Sequence, residues 1–132
     1  MNQLKLFTVE EANALLPQIT ELLHQLQEVR SEVALHEVEV DAVELVADKD
    51  DNGSSPVLDK KLKEYQDAVN RFYSLVNQIH ELGCVLKDVD HGLIDFYSRH
   101  EGRIVYLCWK LGEDNIGHWH DIGKGFSHRQ TL

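Results

Sequence analysis

From Leu15 onward, apolar residues return at steps of four and three without a break: Leu15, Ile19, Leu22, Leu26, Val29, Val33, His36, Val40, Val43 and Ala47. A mean spacing near 3.5 residues keeps such positions on one side of a long α-helix, the pattern of a coiled-coil seam. A second run, Leu58, Leu62, Tyr65, Val69, Phe72, Val76 and Ile79, has the same rhythm. Between them DKDDNGSSP (48–56) mixes charge, glycine and proline and reads as a turn. Two long helices joined by a short polar loop pack antiparallel. His36 is the polar member of the first run, expected as a packed or hydrogen-bonded residue that helps fix register.

The first helix opens at Thr8. Glu11 stands three residues on, which reads as a capping box, and Phe7 is placed to staple against Ala12. Pro17, about two turns in, is expected to kink the helix or start a new one. Leu23, Leu75 and Leu82 flank the seams and exceed what one mutual contact consumes. That surplus predicts cover by the following segment or by a second copy, and hence a homodimer through the helices, as a four-helix bundle. A protein partner is the wider form of the same expectation.

After Gly83 the periodicity changes from helical to alternating. CVLKD, GLIDFY, RIVYLCWKL and IGHWHD are short, β-branched and aromatic, and are separated by turn-like HEG and GEDN. They predict three or four strands in an antiparallel meander. The tail GKGFSHRQTL reads as irregular and tethered by Phe126. The expected fold class is α+β: one domain over residues 1–132, with a helical hairpin at 8–82 and a β-rich segment at 83–132.

Composition narrows the function. At 132 residues the chain buries a core without disulfides or a structural metal. Its two cysteines, Cys84 and Cys108, form no CxxC pair. Acidic residues outnumber basic ones 23 to 13, a net charge of −10 with no basic cluster, which disfavours nucleic acid and anionic membranes. The N-terminus lacks the charged and apolar regions of a signal peptide, and no apolar run approaches the roughly 20 residues of a membrane span. A cytoplasmic location is expected.

The segments FTVEEANALLP (7–17), ELGCVLKDVDHGLIDF (81–96), GRIVYLCWKLGE (102–113) and WHDIGKGFSHRQTL (119–132) resemble the bacterial family catalogued as domain of unknown function 2203. The resemblance spans essentially the whole chain, most loosely through residues 30–75. It implies recurring residues and no particular reaction. The matched positions are Asp88, Asp95, Trp109, Glu113, Trp119, His120, Arg129 and Gln130. His128 stands where the family has glycine, which removes the glycine that an anion-cradling turn at Gly-Arg-Gln would use.

The sharpest local chemistry is His118-Trp119-His120. Residues two apart on a strand share a face, so both imidazoles could reach one divalent transition metal. Asp95, Glu113, Asp121 or Cys108 would complete the set, and a metal-dependent hydrolase or oxygenase would follow. The resemblance supports His120 and not His118. Asp48, Asp50, Asn52, Gly53 and Asp59 fall at positions of an EF-hand-like calcium loop, but Asp59 replaces the bidentate glutamate and Pro56 breaks the pattern. A solvated turn is the expectation there. Asp88, Asp90 and Asp95 offer carboxylates for acid–base work, with capping of the turn before Gly92 the plainer role for Asp88. Cys108 reads as a small buried hydrophobe, or as a nucleophile if His120 comes near. No phosphate loop, GxSxG or HExxH motif is present. The leading functional reading is a dimerising interaction module, with the His/carboxylate metal site as the alternative and the existence of an enzymatic activity left open.

Overall fold

The computed structural model describes residues 4–132. Helix α1 runs Val9–Val46, helix α2 Pro56–Glu81, and five strands follow: β1 Val85–Asp88, β2 Leu93–His100, β3 Arg103–Lys110, β4 His118–Asp121 and β5 Gln130–Thr131. All four expected strand segments are present. The fifth comes from the tail, where a 3-10 turn at Phe126–His128 precedes β5. Only Gln130–Thr131 of the tail joins the sheet, pairing with the outer edge of β4, while the rest follows the irregular path expected of it. The strands lie in chain order β1-β2-β3-β4-β5, each antiparallel to its neighbour. Among the described residues, no helix is long and apolar enough to cross a membrane.

The chain divides into two compact units, one made of the chain up to His24 together with Val76–Leu132, the other of Gln25–Leu75. In the first, the capping box forms as the sequence predicts. Thr8 N–H donates to Glu11 Oε1 at 2.9 Å and Glu11 N–H to Thr8 Oγ1 at 3.1 Å. Phe7 is buried, with its ring edge-on to Phe96 at 5.1 Å. Its backbone is pinned to β2 at both ends: Phe7 N–H donates to the Tyr97 carbonyl, and Ser98 Oγ donates to the Phe7 carbonyl. Pro17 lies inside α1, which is a single helix, so no new helix starts there. Proline lacks the N–H that would bond the Asn13 carbonyl one turn back. The Asn13 side chain in turn accepts the Ile116 N–H at 2.7 Å.

Strand alternation sorts the sheet into two faces. Ile94, Phe96, Val105, Leu107, Trp109 and Trp119 occupy one and are fully or nearly fully buried, as are Ala12, Leu16, Ile19 and Leu23 of α1 and Ile79 of α2. The opposite face carries Asp95, Tyr97, Tyr106, Cys108, His118 and His120, brought side by side by the β2–β3–β4 register.

In the second unit the loop closes as a turn. Asp50 Oδ1 accepts N–H groups from Asn52 and Ser54, both at 2.9 Å. Ser55 caps α2 by accepting the Leu58 N–H, and Pro56 takes the first helical position, where a missing N–H costs nothing. The α2 seam is rotated from the expected one. Leu62 is exposed, while Ala68 and Leu75 are buried. Small Ala68 permits close approach, and Lys61 bonds Glu39 of α1 at 3.0 Å. His36 is half-buried, with Nδ1 3.9 Å from both Glu39 and Glu64 and without a hydrogen bond at that nitrogen. Leu23 and Leu75 are not spare: both are buried within the chain.

Candidate functional site

The polar sheet face holds a side-chain cluster that is shut from solvent. Asp95 on β2, Cys108 on β3 and His120 on β4 are 3%, 1% and 1% exposed. Register explains the meeting: Asp95 pairs with Cys108, and His120 pairs with Tyr106 one step along the same face. His120 Nε2 lies 3.1 and 3.2 Å from the two Asp95 oxygens. Its Nδ1 lies 3.0 Å from the Asp121 carbonyl. A carbonyl only accepts, so Nδ1 carries a hydrogen and Nε2 is turned to the carboxyl group. One ligand atom from each of the three residues lies within 4.8 Å of the others.

Burial sets the electrostatics. It raises the Asp95 carboxyl above its usual range, against the opposing pull of His120. It also pushes the Cys108 thiol up to about 12, with Asp95 adding to the rise. A thiolate is therefore disfavoured, and the nucleophilic reading of Cys108 loses its basis despite the nearby histidine. A cavity of about 200 Å³ opens over the cluster, lined also by Lys87, Leu93, Lys124 and Phe126.

Of the six candidate metal ligands, the structure brings together His120, Asp95 and Cys108 and sets Glu113, His118 and Asp121 apart. Glu113 accepts the Lys110 N–H at 2.8 Å and holds Arg129 Nη1 at 2.9 and 3.0 Å through its two oxygens. Its carbonyl accepts the Trp109 indole N–H. His118 Nδ1 is 3.9 Å from Glu113. Side chains two apart share a face but lie about 7 Å apart along the strand, so His118 reaches the next cluster and not this one. Arg129 also lies over Phe126 at 4.1 Å, and Gln130 pairs with Trp119 in the sheet. Trp109, Glu113, Trp119, Arg129 and Gln130 thus clamp the tail against the β3–β4 end of the sheet. The Asp121 carboxylate is bound to Arg103.

The other candidates have plainer roles. Asp88 accepts the His91 N–H at 3.0 Å and faces its ring at 3.2 Å, which caps the β1–β2 turn and holds its carboxyl below the usual range. Among the described residues, Asp48, Asp50 and Asp59 join no group of three ligand-type side chains, and Asp59 sits in the first turn of α2, where its charge suits the helix dipole. Glu39, Glu64 and His36 do gather, but Lys61 already lies 3.0 and 3.8 Å from the two carboxylates. Sequence reasoning passed over Lys87 and Lys124. The signals for them were slight: Lys87 occupies the irregularity between Leu86 and Asp88, and Lys124 stands between two glycines.

A helical hairpin leading into a five-stranded antiparallel meander, with an enclosed imidazole–carboxylate–thiol set on the sheet, defines an α+β protein with a buried polar site. The chain belongs to the family of uncharacterized conserved proteins denoted DUF2203, whose model matches residues 5–132. No curated protein and no solved structure matches it.

Proposed function

We propose that this protein binds one divalent transition metal, zinc by preference, through His120, Asp95 and Cys108. The observation that carries the reading is the burial of three different donor types within 4.8 Å of one another. The donor chemistry agrees. A nitrogen, an oxygen and a sulfur ligand suit Zn²⁺, and the second ring nitrogen of His120 is held by a carbonyl, the usual support of a metal-bound histidine. Charge agrees too. Carboxylate and thiolate together carry about two negative charges, which one divalent cation cancels in a site where net charge is costly. Three protein ligands beneath a cavity leave a fourth position for water, the arrangement of a hydrolytic zinc centre. An oxygenase is less favoured, since the usual set of two histidines and a carboxylate would need His118.

Metal content of tag-free protein purified without chelator tests this. Near one equivalent of zinc is expected, with loss in Asp95→Asn and retention in His91→Ala. Absence of metal from folded wild-type protein, even after incubation with zinc, defeats it.

The exposed apolar residues of Gln25–Leu75 favour a second reading, an interaction surface. Leu35, Val38, Leu45 and Val46 of α1 all stand largely in solvent, Leu45 at 85%. A second copy of the chain is the proposed occupant, giving a homodimer. Sedimentation should then show a dimer that Leu45→Glu converts to monomer, and a wild-type monomer at high concentration removes the reading.

A further inference from the structure

We infer that the cavity over His120 takes a small oxyanion, a carboxylate or phosphate of a few heavy atoms, held between Lys87 and Lys124. The chain is acidic overall, with 23 acidic residues against 13 basic, so most of its surface repels anions. This mouth is different. Lys87 and Lys124 both line it, and Lys110 and Arg129 lie against Phe126, which lines it too. Asp95 is the acidic residue of the lining, and it is buried and bonded by His120. Glu113, 3.9 Å from His118, is paired with Arg129.

Each lysine approaches from a different element. Lys87 leaves β1 at its irregular step, and its Nζ rests 4.7 Å from the Tyr106 ring centroid. Lys124 comes from the turn after β4, whose backbone is fixed by its N–H to the Asp121 carbonyl. Leu93 and Phe126 supply apolar wall beside the two lysines, which lowers the local polarity and strengthens charge attraction. A volume of about 200 Å³ holds on the order of half a dozen water-sized groups, which fits a short carboxylate or a phosphate and excludes a nucleotide. The inference rests on the metal reading in one respect: one anion oxygen would fill the metal's open position while the others meet the lysines.

The test is an NMR titration of ¹⁵N-labelled protein at neutral pH with inorganic phosphate and, separately, malonate. Both zinc-loaded and metal-free samples are used, and zinc content is measured on each. Saturable shifts at Lys124, Gly125 and His120 are expected in at least one form, weakened tenfold or more in the Lys87→Gln/Lys124→Gln variant. Lys60→Gln/Lys63→Gln, in the hairpin, should leave them unchanged. The arm that binds identifies the oxyanion class. Equal affinity in the Lys87/Lys124 variant, or no saturable shift in either form, overturns the inference. Stoichiometric zinc with no anion effect removes the inference alone. Anion binding through these lysines in protein that takes up no zinc removes the metal reading alone.

Discussion

At the scale of single residues, His120 and Asp95 form a pair whose members are not interchangeable. His120→Ala leaves a buried carboxyl without its partner, and a cost of about 3 kcal/mol is expected in chemical denaturation. Asp95→Asn keeps a hydrogen-bonding group against Nε2 and removes the charge that burial disfavours. The raised Asp95 carboxyl means that folded protein holds this proton more tightly than the unfolded chain. Its contribution therefore favours the fold in acid and is lost as pH rises above the ordinary aspartate range. Metal-free wild type should lose stability relative to Asp95→Asn as pH is raised from about 4 to 7. An unchanged difference in melting temperature across that range would count against the account. Metal loading would displace the thiol proton of Cys108, so calorimetry in buffers of different ionisation enthalpy should find at least one proton released per zinc at neutral pH. Little of this pairing was legible in the sequence. Alternation alone puts Asp95, Cys108 and His120 on one face, but their meeting depends on the register of three strands.

At the scale of elements, the turns decide whether that register forms. Gly92 joins β1 to β2 with φ of +65°, and a Cβ there would lie 2.5 Å from Leu111 Cβ. Gly53, in the hairpin loop, has φ of +78° but nothing within 4 Å. Both alanine variants suffer backbone strain of about 1 kcal/mol; Gly92→Ala adds a clash and should cost clearly more, by denaturant midpoint. Comparable losses would mean that the Gly92–Leu111 approach does not matter. The capping box was legible, because Thr8 and Glu11 satisfy each other through local chemistry. The rotation of α2 was not. Leu62 and Ala68 differ in size, and a pattern of apolar residues does not weigh how near a small side chain lets two helices come. Of the tail, only the β5 pairing was not legible: β5 is two residues long and has no apolar alternation, and Arg129 beside it is held by Glu113.

At the scale of the whole molecule, the residues that carry the family resemblance, apart from Asp88 at the β1–β2 turn, divide into two groups. Trp109, Glu113, Trp119, Arg129 and Gln130 bind the tail to the sheet edge, while Asp95 and His120 meet in the interior beside Cys108. A metal on the proposed ligands would tie β2, β3 and β4 together, so zinc should raise the melting temperature of wild type in a concentration-dependent way and leave Asp95→Asn unmoved. The hairpin unit Gln25–Leu75 offers the proposed site no ligand and stands as its own surface. X-ray absorption at the zinc edge of the loaded protein tests the central claim most directly. The account predicts one sulfur at about 2.3 Å with nitrogen and oxygen neighbours at about 2.0–2.1 Å, the sulfur vanishing in Cys108→Ser. A shell of oxygen and nitrogen alone in the wild type, unchanged by that substitution, would contradict it.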